Sequence, residues 1–117
     1  MIQGIGLDVI EIERIMLAHK RTSKFKERIL TTREMKKYEM LKEARQLEFL
    51  AGRFAAKEAF AKALGTGIGK ECSFKDIEVL PNELGKPILY FKGQAVNGHV
   101  SITHTKQIAS AQVILVE

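Results

Sequence analysis

Two charged side chains, Glu58 and Lys62, lie one helical turn apart in a stretch of sequence that is otherwise almost wholly apolar. At about 100° per residue they fall roughly 40° and 80° from Phe54, on a side of the predicted helix that carries other apolar residues. An ionised carboxylate on a core-facing side is costly unless a positive charge or a ligand pairs with it. Glu58 therefore either pairs with Lys62 at i+4, which is the simpler alternative, or holds a ligand.

A third candidate, Asp8, lies in the N-terminal segment 2–10, where the alternation of residue types predicts a β-strand. One predicted face consists of Ile5, Leu7 and Val9, and the other consists of Gly4, Gly6 and Asp8. A face with two glycines lets another backbone or a ligand approach closely and meet a single anion. Alternatively, Asp8 caps a helix that we expect to begin near Glu11.

The segments that carry these residues, GIGLD near the N-terminus and FAAKEAFAKALGTG in the middle, resemble the paired signature motifs of the bacterial holo-acyl-carrier-protein synthases. These are small 4′-phosphopantetheinyl transferases. The similarity continues in the expected order over nearly the whole chain, through the segments 27–31, 48–53, 82–87 and 100–105. Either motif alone is a weak signal, but the two together, followed by the SITHT segment, are specific.

The resemblance implies transfer of 4′-phosphopantetheine from coenzyme A to a serine of apo-acyl carrier protein, with release of 3′,5′-ADP, in fatty acid biosynthesis. It also implies a Mg²⁺ ion held by Asp8 and Glu58, with Glu58 and Lys62 as catalytic residues. Two carboxylates suit Mg²⁺, because this ion completes its octahedron with waters and substrate phosphate oxygens. The identity of the general base stays open, since Glu58 accepts the serine proton either directly or through a metal-bound water.

The glycine-rich segment 65–70 is not a Walker A loop, because it follows a predicted helix and its lysine precedes a glutamate. From the residues alone, the segment 65–70 is a flexible helix C-cap. The residues likewise predict a turn at Lys86 and Pro87 and a core position for His104. The family resemblance instead implies a coenzyme A site. Its implied residues are Arg53, Lys62, Gly65, Thr66, Gly67, Lys86, Pro87, His104 and Thr105.

The net charge of +5 is concentrated in the segment 20–37. Such a run is usually a solvated helix face, but Arg14 and Arg21 share a mixed basic and apolar stripe of the first predicted helix. This stripe suits an acidic amphipathic helix such as that of acyl carrier protein. The predicted carrier-protein contacts are Arg14, Arg21, Lys24, Phe25 and Arg28.

Other functional classes compete with the enzyme. A basic module could bind nucleic acid or acidic proteins, but the chain has no tryptophan and no nucleic-acid-binding signature, so we expect no nucleic-acid partner. A purely structural oligomer would leave Asp8 and Glu58 unexplained.

Length and composition predict one soluble domain, 1–117, with 45% hydrophobic and 28% charged residues. We expect a cytoplasmic protein without a membrane partner, because the sequence shows no apolar span and no signal peptide. The single cysteine, Cys72, fits a reducing compartment.

Hydrophobic periodicity predicts an α+β fold with an N-terminal strand, several helices including a long central one, and then antiparallel strands. Helices are predicted over 11–20, 23–28, from the Thr31–Glu34 capping box onward, and over 44–64; strands are predicted over 76–80, 88–91, 99–105 and 108–116. The family resemblance implies a homotrimer with active sites between subunits. Independent support comes from the long helix, which is apolar around most of its circumference.

Overall fold

The chain begins with a long strand, forms four helices, and then returns to β-structure; the computed structural model describes residues 1–117. The elements are β1 (Ile2–Glu11), α1 (Ile12–Arg21), α2 (Lys24–Ile29), α3 (Thr32–Glu39), α4 (Glu43–Leu64), β2 (Ile77–Pro81), β3 (Pro87–Phe91), β4 (Gln94–Ala95), β5 (Gly98–His104) and β6 (Ile108–Val116). They form two three-stranded antiparallel sheets, with the strand orders β1-β6-β5 and β2-β3-β4. The predicted α+β fold is confirmed.

Helix α4 packs directly against the glycine-bearing face of β1. A methyl group added at Gly6 would collide with the carbonyl oxygen of Ala59, and one added at Gly4 would collide with that of Ala63. The two backbones therefore approach so closely that only glycine fits. The sequence predicted that a backbone or a ligand would reach this face, and the backbone of α4 occupies it beside Asp8.

The hydrophobic core consists of two groups of buried side chains, and α4 contributes to both. The C-terminal half of α4 packs with strands of both sheets, around Phe60, Ile77 and Val113. Its N-terminal half packs with the other helices, around Leu50 and Ile29. A helix that is covered on several sides needs apolar residues around most of its circumference, which explains its lack of a single apolar stripe.

The helix ends follow local signals in the sequence. The backbone N–H of Glu34 donates to Thr31 Oγ1 at 3.2 Å, and the N–H of Thr31 donates to the Glu34 carboxylate at 2.9 Å, so the predicted capping box is formed. Gly65 ends α4 in the left-handed conformation at φ 95°. The sequence did not predict β4 or the 3₁₀ turn Phe74–Asp76, because elements this short carry no periodic pattern.

The outer face of β1 is apolar and exposed. The side chains of Ile5, Leu7 and Val9 are 57%, 55% and 57% accessible. They alternate with the glycine-bearing face that meets α4, so a single strand carries both a close backbone contact and an exposed apolar face. None of the helices is both long and apolar enough to cross a membrane.

Candidate active site

Asp8, Glu58 and Lys62 come together where α4 crosses β1. The Lys62 ammonium lies 3.2 Å from Asp8 Oδ1 and donates to the carbonyl oxygen of Leu7 at 3.0 Å. The Asp8 side chain is 14% exposed and that of Lys62 is 51% exposed. Lys62 therefore pairs with the carboxylate of the strand, and the simpler alternative of an i,i+4 ion pair with Glu58 is not formed.

The alternative role of Asp8 as a helix cap is also wrong. The N-cap residue of α1 is Glu11, and no side-chain hydrogen bond caps this helix. The backbone of Asp8 is instead fixed by strand pairing with Ala111 and by its carbonyl oxygen, which accepts a hydrogen bond from Ser110 Oγ at 3.0 Å. Ser110 is a contact that sequence reasoning missed, since it is distant in the chain and belongs to no motif.

The electrostatics of the cluster favour an added cation. Burial raises the pKa of the Glu58 carboxyl above its ordinary value, the neighbouring Asp8 carboxylate raises it further, and Lys62 opposes both effects. The cluster thus contains two carboxylates and only one ammonium group, which pairs with Asp8. The atoms that Asp8 and Glu58 offer to a metal ion are carboxylate oxygens, which are the ligands that Mg²⁺ prefers. No three His, Cys, Asp or Glu side chains come together as a possible metal site. Asp8 and Glu58 supply two carboxylate ligands, so an ion held there would need its other ligands from elsewhere.

Arg53 lies between two shallow grooves. One, of about 300 Å³, is lined by Arg53, Pro81, Gly85, Pro87, Val100, Ser101 and Ile102. The other, of about 260 Å³, is lined by Leu41, Arg45, Glu48, Phe49, Gly52, Arg53, Ile102 and His104. The structure thus brings together three of the residues that the resemblance assigned to coenzyme A, namely Arg53, Pro87 and His104.

The Arg53 side chain packs on an aromatic ring, and one of its nitrogen atoms has no hydrogen-bond partner. Its guanidinium lies over the Phe49 ring, 4.2 Å from the centroid, and its buried Nε has no hydrogen-bond partner. Burial lowers the pKa of Arg53 below its ordinary value, and the Glu34 carboxylate opposes this effect. In the same area His104 Nδ1 lies 3.5 Å from Glu48 Oε2, with the histidine side chain 43% exposed. The alternative of a core histidine is therefore wrong.

The remaining residues assigned to coenzyme A lie at chain turns. Gly65 ends α4 as the local reading predicted, and Thr66 Oγ1 donates to the Gly67 carbonyl oxygen at 2.9 Å. Lys86 is an exposed residue of the β2–β3 turn, where its backbone N–H donates to Asn82 Oδ1. The hydroxyl of Thr105 accepts hydrogen bonds from two backbone N–H groups of the turn between β5 and β6.

The residues assigned to coenzyme A fall into two groups on different sides of α4. Arg53 and Lys62 are nine positions apart in the helix, which places them about 180° apart around its axis and about 14 Å apart along it. The group around Arg53 therefore faces away from the carboxylate cluster. The chain does not join them into one cleft along α4.

The residues predicted to contact the carrier protein lie on α1 and α2. Four of them are exposed and basic: Arg14, Arg21, Lys24 and Arg28. Phe25 is half-buried and stacks on Phe54, with ring centroids 6.3 Å apart, and Phe54 stacks on Phe74 at 5.2 Å. Because Phe54 precedes Glu58 by one helical turn, this aromatic stack links the basic surface to the carboxylate cluster.

The fold agrees with a match to a known family. Residues 4–116 match the family model of the 4′-phosphopantetheinyl transferase superfamily, and the chain belongs to this superfamily. Within it, the chain is 54% identical over 115 residues to the holo-[acyl-carrier-protein] synthase of Geobacillus kaustophilus, which covers 98% of this chain and 89% of the relative. The resemblance drawn from the two motifs is confirmed, as is the prediction that the chain is an enzyme of this family.

Solved structures agree with this family assignment. The holo-(acyl-carrier-protein) synthase of Bacillus anthracis, in complex with CoA (3′,5′-ADP), matches with a TM-score of 0.86 at 54% identity, over 98% of this chain and 96% of that one. The holo-[acyl-carrier-protein] synthase of Neisseria meningitidis matches with a TM-score of 0.89 at 34% identity, over the full length of both chains.

Proposed function

We propose that the chain transfers 4′-phosphopantetheine from coenzyme A to a serine of apo-acyl carrier protein, in a Mg²⁺-dependent reaction that serves fatty acid biosynthesis. The observation that carries this proposal is the cluster of Asp8, Glu58 and Lys62, which lies within the residues 4–116 that match the family model. A coenzyme A ligand in the Bacillus anthracis relative supports the choice of donor substrate.

The reaction forms a bond between the serine oxygen and the pantetheine-side phosphorus, and it breaks the bond from that phosphorus to the oxygen that leaves with 3′,5′-ADP. Asp8 and Glu58 would hold Mg²⁺, which when bound neutralises the phosphate charge that repels the nucleophile. Lys62 adds a second positive charge beside the phosphates as negative charge builds up on the leaving oxygen. Glu58 would also be placed to accept the serine proton, either directly or through a water molecule.

Coenzyme A binding requires both groups of residues. Lys62, Gly65, Thr66 and Gly67 would hold one part of the ligand, and Arg53, Lys86, Pro87, His104 and Thr105 would hold another. Because the two groups face different sides of α4, one ligand reaches both most simply when a second copy of the chain supplies one of them. We therefore propose a homotrimer with active sites between subunits, and the exposed apolar face of β1 supports it.

The carrier protein would dock on α1 and α2. The exposed guanidinium and ammonium groups there complement an acidic helix, and Phe25 offers an apolar contact next to them. Because the aromatic stack leads from Phe25 to Phe54 and so to the turn that carries Glu58, a carrier bound here would present its serine near the carboxylate cluster.

A single assay tests the proposed function. The chain is mixed with apo-acyl carrier protein, coenzyme A and Mg²⁺, and the intact mass of the carrier is measured. We expect a mass gain of one phosphopantetheine group, which a carrier with its serine replaced by alanine does not show. Absence of any mass gain with the unmodified carrier would contradict the proposal.

A further inference from the structure

The molecule contains a buried ion pair that the proposed reaction does not use. Glu34 and Lys57 are both 0% exposed, and Lys57 Nζ lies 2.5 Å from Glu34 Oε1. Lys57 also donates to the carbonyl oxygen of Ile29 at 2.7 Å. Sequence reasoning placed Glu34 only in a helix cap and gave Lys57 no role.

The same carboxylate organises a wider network. Glu34 Oε1 accepts a hydrogen bond from the backbone N–H of Thr31 at 2.9 Å, and Glu34 Oε2 accepts one from the backbone N–H of Val79 at 2.8 Å. The ion pair therefore ties together four elements: the last residue of α2, the start of α3, strand β2 and helix α4. Each connection is a directional hydrogen bond, which fixes relative position more narrowly than apolar contact does.

Stability alone does not account for this pair. Removing two charges from water costs free energy, which attraction and added hydrogen bonds must offset, and apolar side chains of similar volume often give a fold that is equally stable. A buried ion pair is better suited to select one arrangement of the elements that it connects.

The connected elements are those that the proposed reaction must align. Lys57 is the residue immediately before Glu58, and Ile29 ends the helix that carries Phe25 and Arg28. We propose that Glu34 and Lys57 are positioning residues, which hold the carrier-docking helix α2 at a fixed distance from Glu58 so that the docked serine reaches its target. This inference rests on the proposed function.

The test is the double variant Glu34→Gln with Lys57→Met, which removes both charges and keeps both side-chain volumes nearly unchanged. Turnover is measured against carrier protein and against coenzyme A, together with the thermal unfolding midpoint. We expect kcat to fall about tenfold or more while both KM values stay within about threefold, because misplacement by roughly 1 Å slows the reaction without removing the docking contacts.

The control is the ion pair Arg33–Glu78, in which the arginine side chain is 61% and the glutamate side chain 13% exposed; it joins the start of α3 to the same strand β2 without a hydrogen bond to α4. The variant Arg33→Gln with Glu78→Gln should keep the wild-type kcat. An equal loss of kcat in this control would overturn the proposal, because any loosening of α3 would then be enough to lower kcat.

Two further outcomes decide the matter. A folded double variant with wild-type kcat would overturn the positioning role. If the double variant does not fold, Glu34→Asp, which keeps both charges and shortens one side chain by a methylene, is measured by the same criteria, and failure of both to fold would also overturn the proposal, since the pair would then serve folding itself. Absence of transfer by the wild-type chain would instead overturn the proposed function, so the two failures are distinguishable.

Discussion

Asp8 and Glu58 form an acidic pair that only one lysine balances. Lys62 contacts Asp8 and leaves Glu58 without an ion-pair partner, and burial together with Asp8 raises the pKa of Glu58. The charge of these carboxylates, rather than their shape, should therefore matter to the reaction.

Replacement of either carboxylate by its amide tests this point. We expect Asp8→Asn and Glu58→Gln each to reduce turnover by roughly 100-fold or more, because the amide keeps the shape but loses the charge that holds the cation. The measurement is the initial rate as a function of Mg²⁺ concentration, with the exposed Glu39→Gln as the control. Wild-type turnover and metal dependence in either site variant would show that its residue is not a ligand.

A second carboxylate, that of Glu78, makes stability depend on pH. Burial raises the pKa of Glu78. Hydrogen bonds from Arg33 and Thr31, together with nearby positive charge, outweigh this effect, so the pKa lies below the ordinary value. A group with a lowered pKa in the folded state stabilises the protein above its unfolded-state pKa and ceases to do so as the pH falls through the folded-state pKa.

We therefore expect Glu78→Gln to unfold at a lower temperature than the wild type near pH 7. The difference in Tm should shrink as the pH falls below about 4. Thermal unfolding across this pH range measures it, with the exposed Glu83→Gln as the control. A Tm difference that stays constant down to acid pH would contradict the lowered pKa of Glu78.

At the scale of elements, the contact between β1 and α4 decides where the cluster lies. Gly4 and Gly6 allow the two backbones to touch, and Asp8 follows on the same face of the strand. Any side chain at these glycines would separate the strand from the helix and move Asp8 away from Glu58.

The variant Gly6→Ala measures this contact. Its methyl group would collide with the carbonyl oxygen of Ala59, so we expect a loss of about 1–3 kcal/mol in the free energy of unfolding and a fall in turnover. Gly69→Ala is the matched control, because a methyl group there meets no atom within 4 Å. Equal stability of the two variants would argue against close backbone packing at β1.

Much of the arrangement of elements could be predicted from sequence, because local signals specify it. The Thr31–Glu34 capping box, the stop at Gly65 and the alternation of β1 each depend on neighbouring residues. The Glu34–Lys57 pair could not be predicted, because its members are 23 positions apart and each has a common local interpretation, a cap and a helix lysine. The partner of Lys62 was missed similarly, since it lies on β1 and not one turn away in the helix.

At the scale of the whole molecule, positive charge is concentrated on the surface formed by α1 and α2, where we propose that the carrier protein docks. Arg14 and Arg21 lie on α1, and Lys24 and Arg28 lie beside them on α2, all exposed. Charges on an exposed surface act mainly on association, and salt screens them.

Charge reversal at Arg14 and Arg21 should therefore affect the two substrates differently. We expect Arg14→Glu with Arg21→Glu to raise the KM for carrier protein by about tenfold or more and to leave that for coenzyme A nearly unchanged. The wild-type KM for carrier protein should also rise with salt. Lys37→Glu, an exposed change on α3, is the control, and equal effects on both substrates would refute this division of the surface.

The proposed trimer is tested by mass and by complementation. Light scattering at micromolar concentration should give three times the mass of one chain. Mixing an Asp8→Asn chain with a His104→Ala chain, each inactive alone, should restore activity, because one shared site would then contain both wild-type residues. A monomeric mass together with full activity would exclude a shared site.

The outward face of β1 has a consequence for how activity depends on enzyme concentration. Leu7 is exposed and apolar, whereas Asp8, the next residue, belongs to the acidic cluster. If the subunit that covers Leu7 also supplies the second group of coenzyme A residues, assembly and activity would follow the same mass-action equilibrium. On dilution, the rate per chain would then fall as subunits separate, before any chain unfolds.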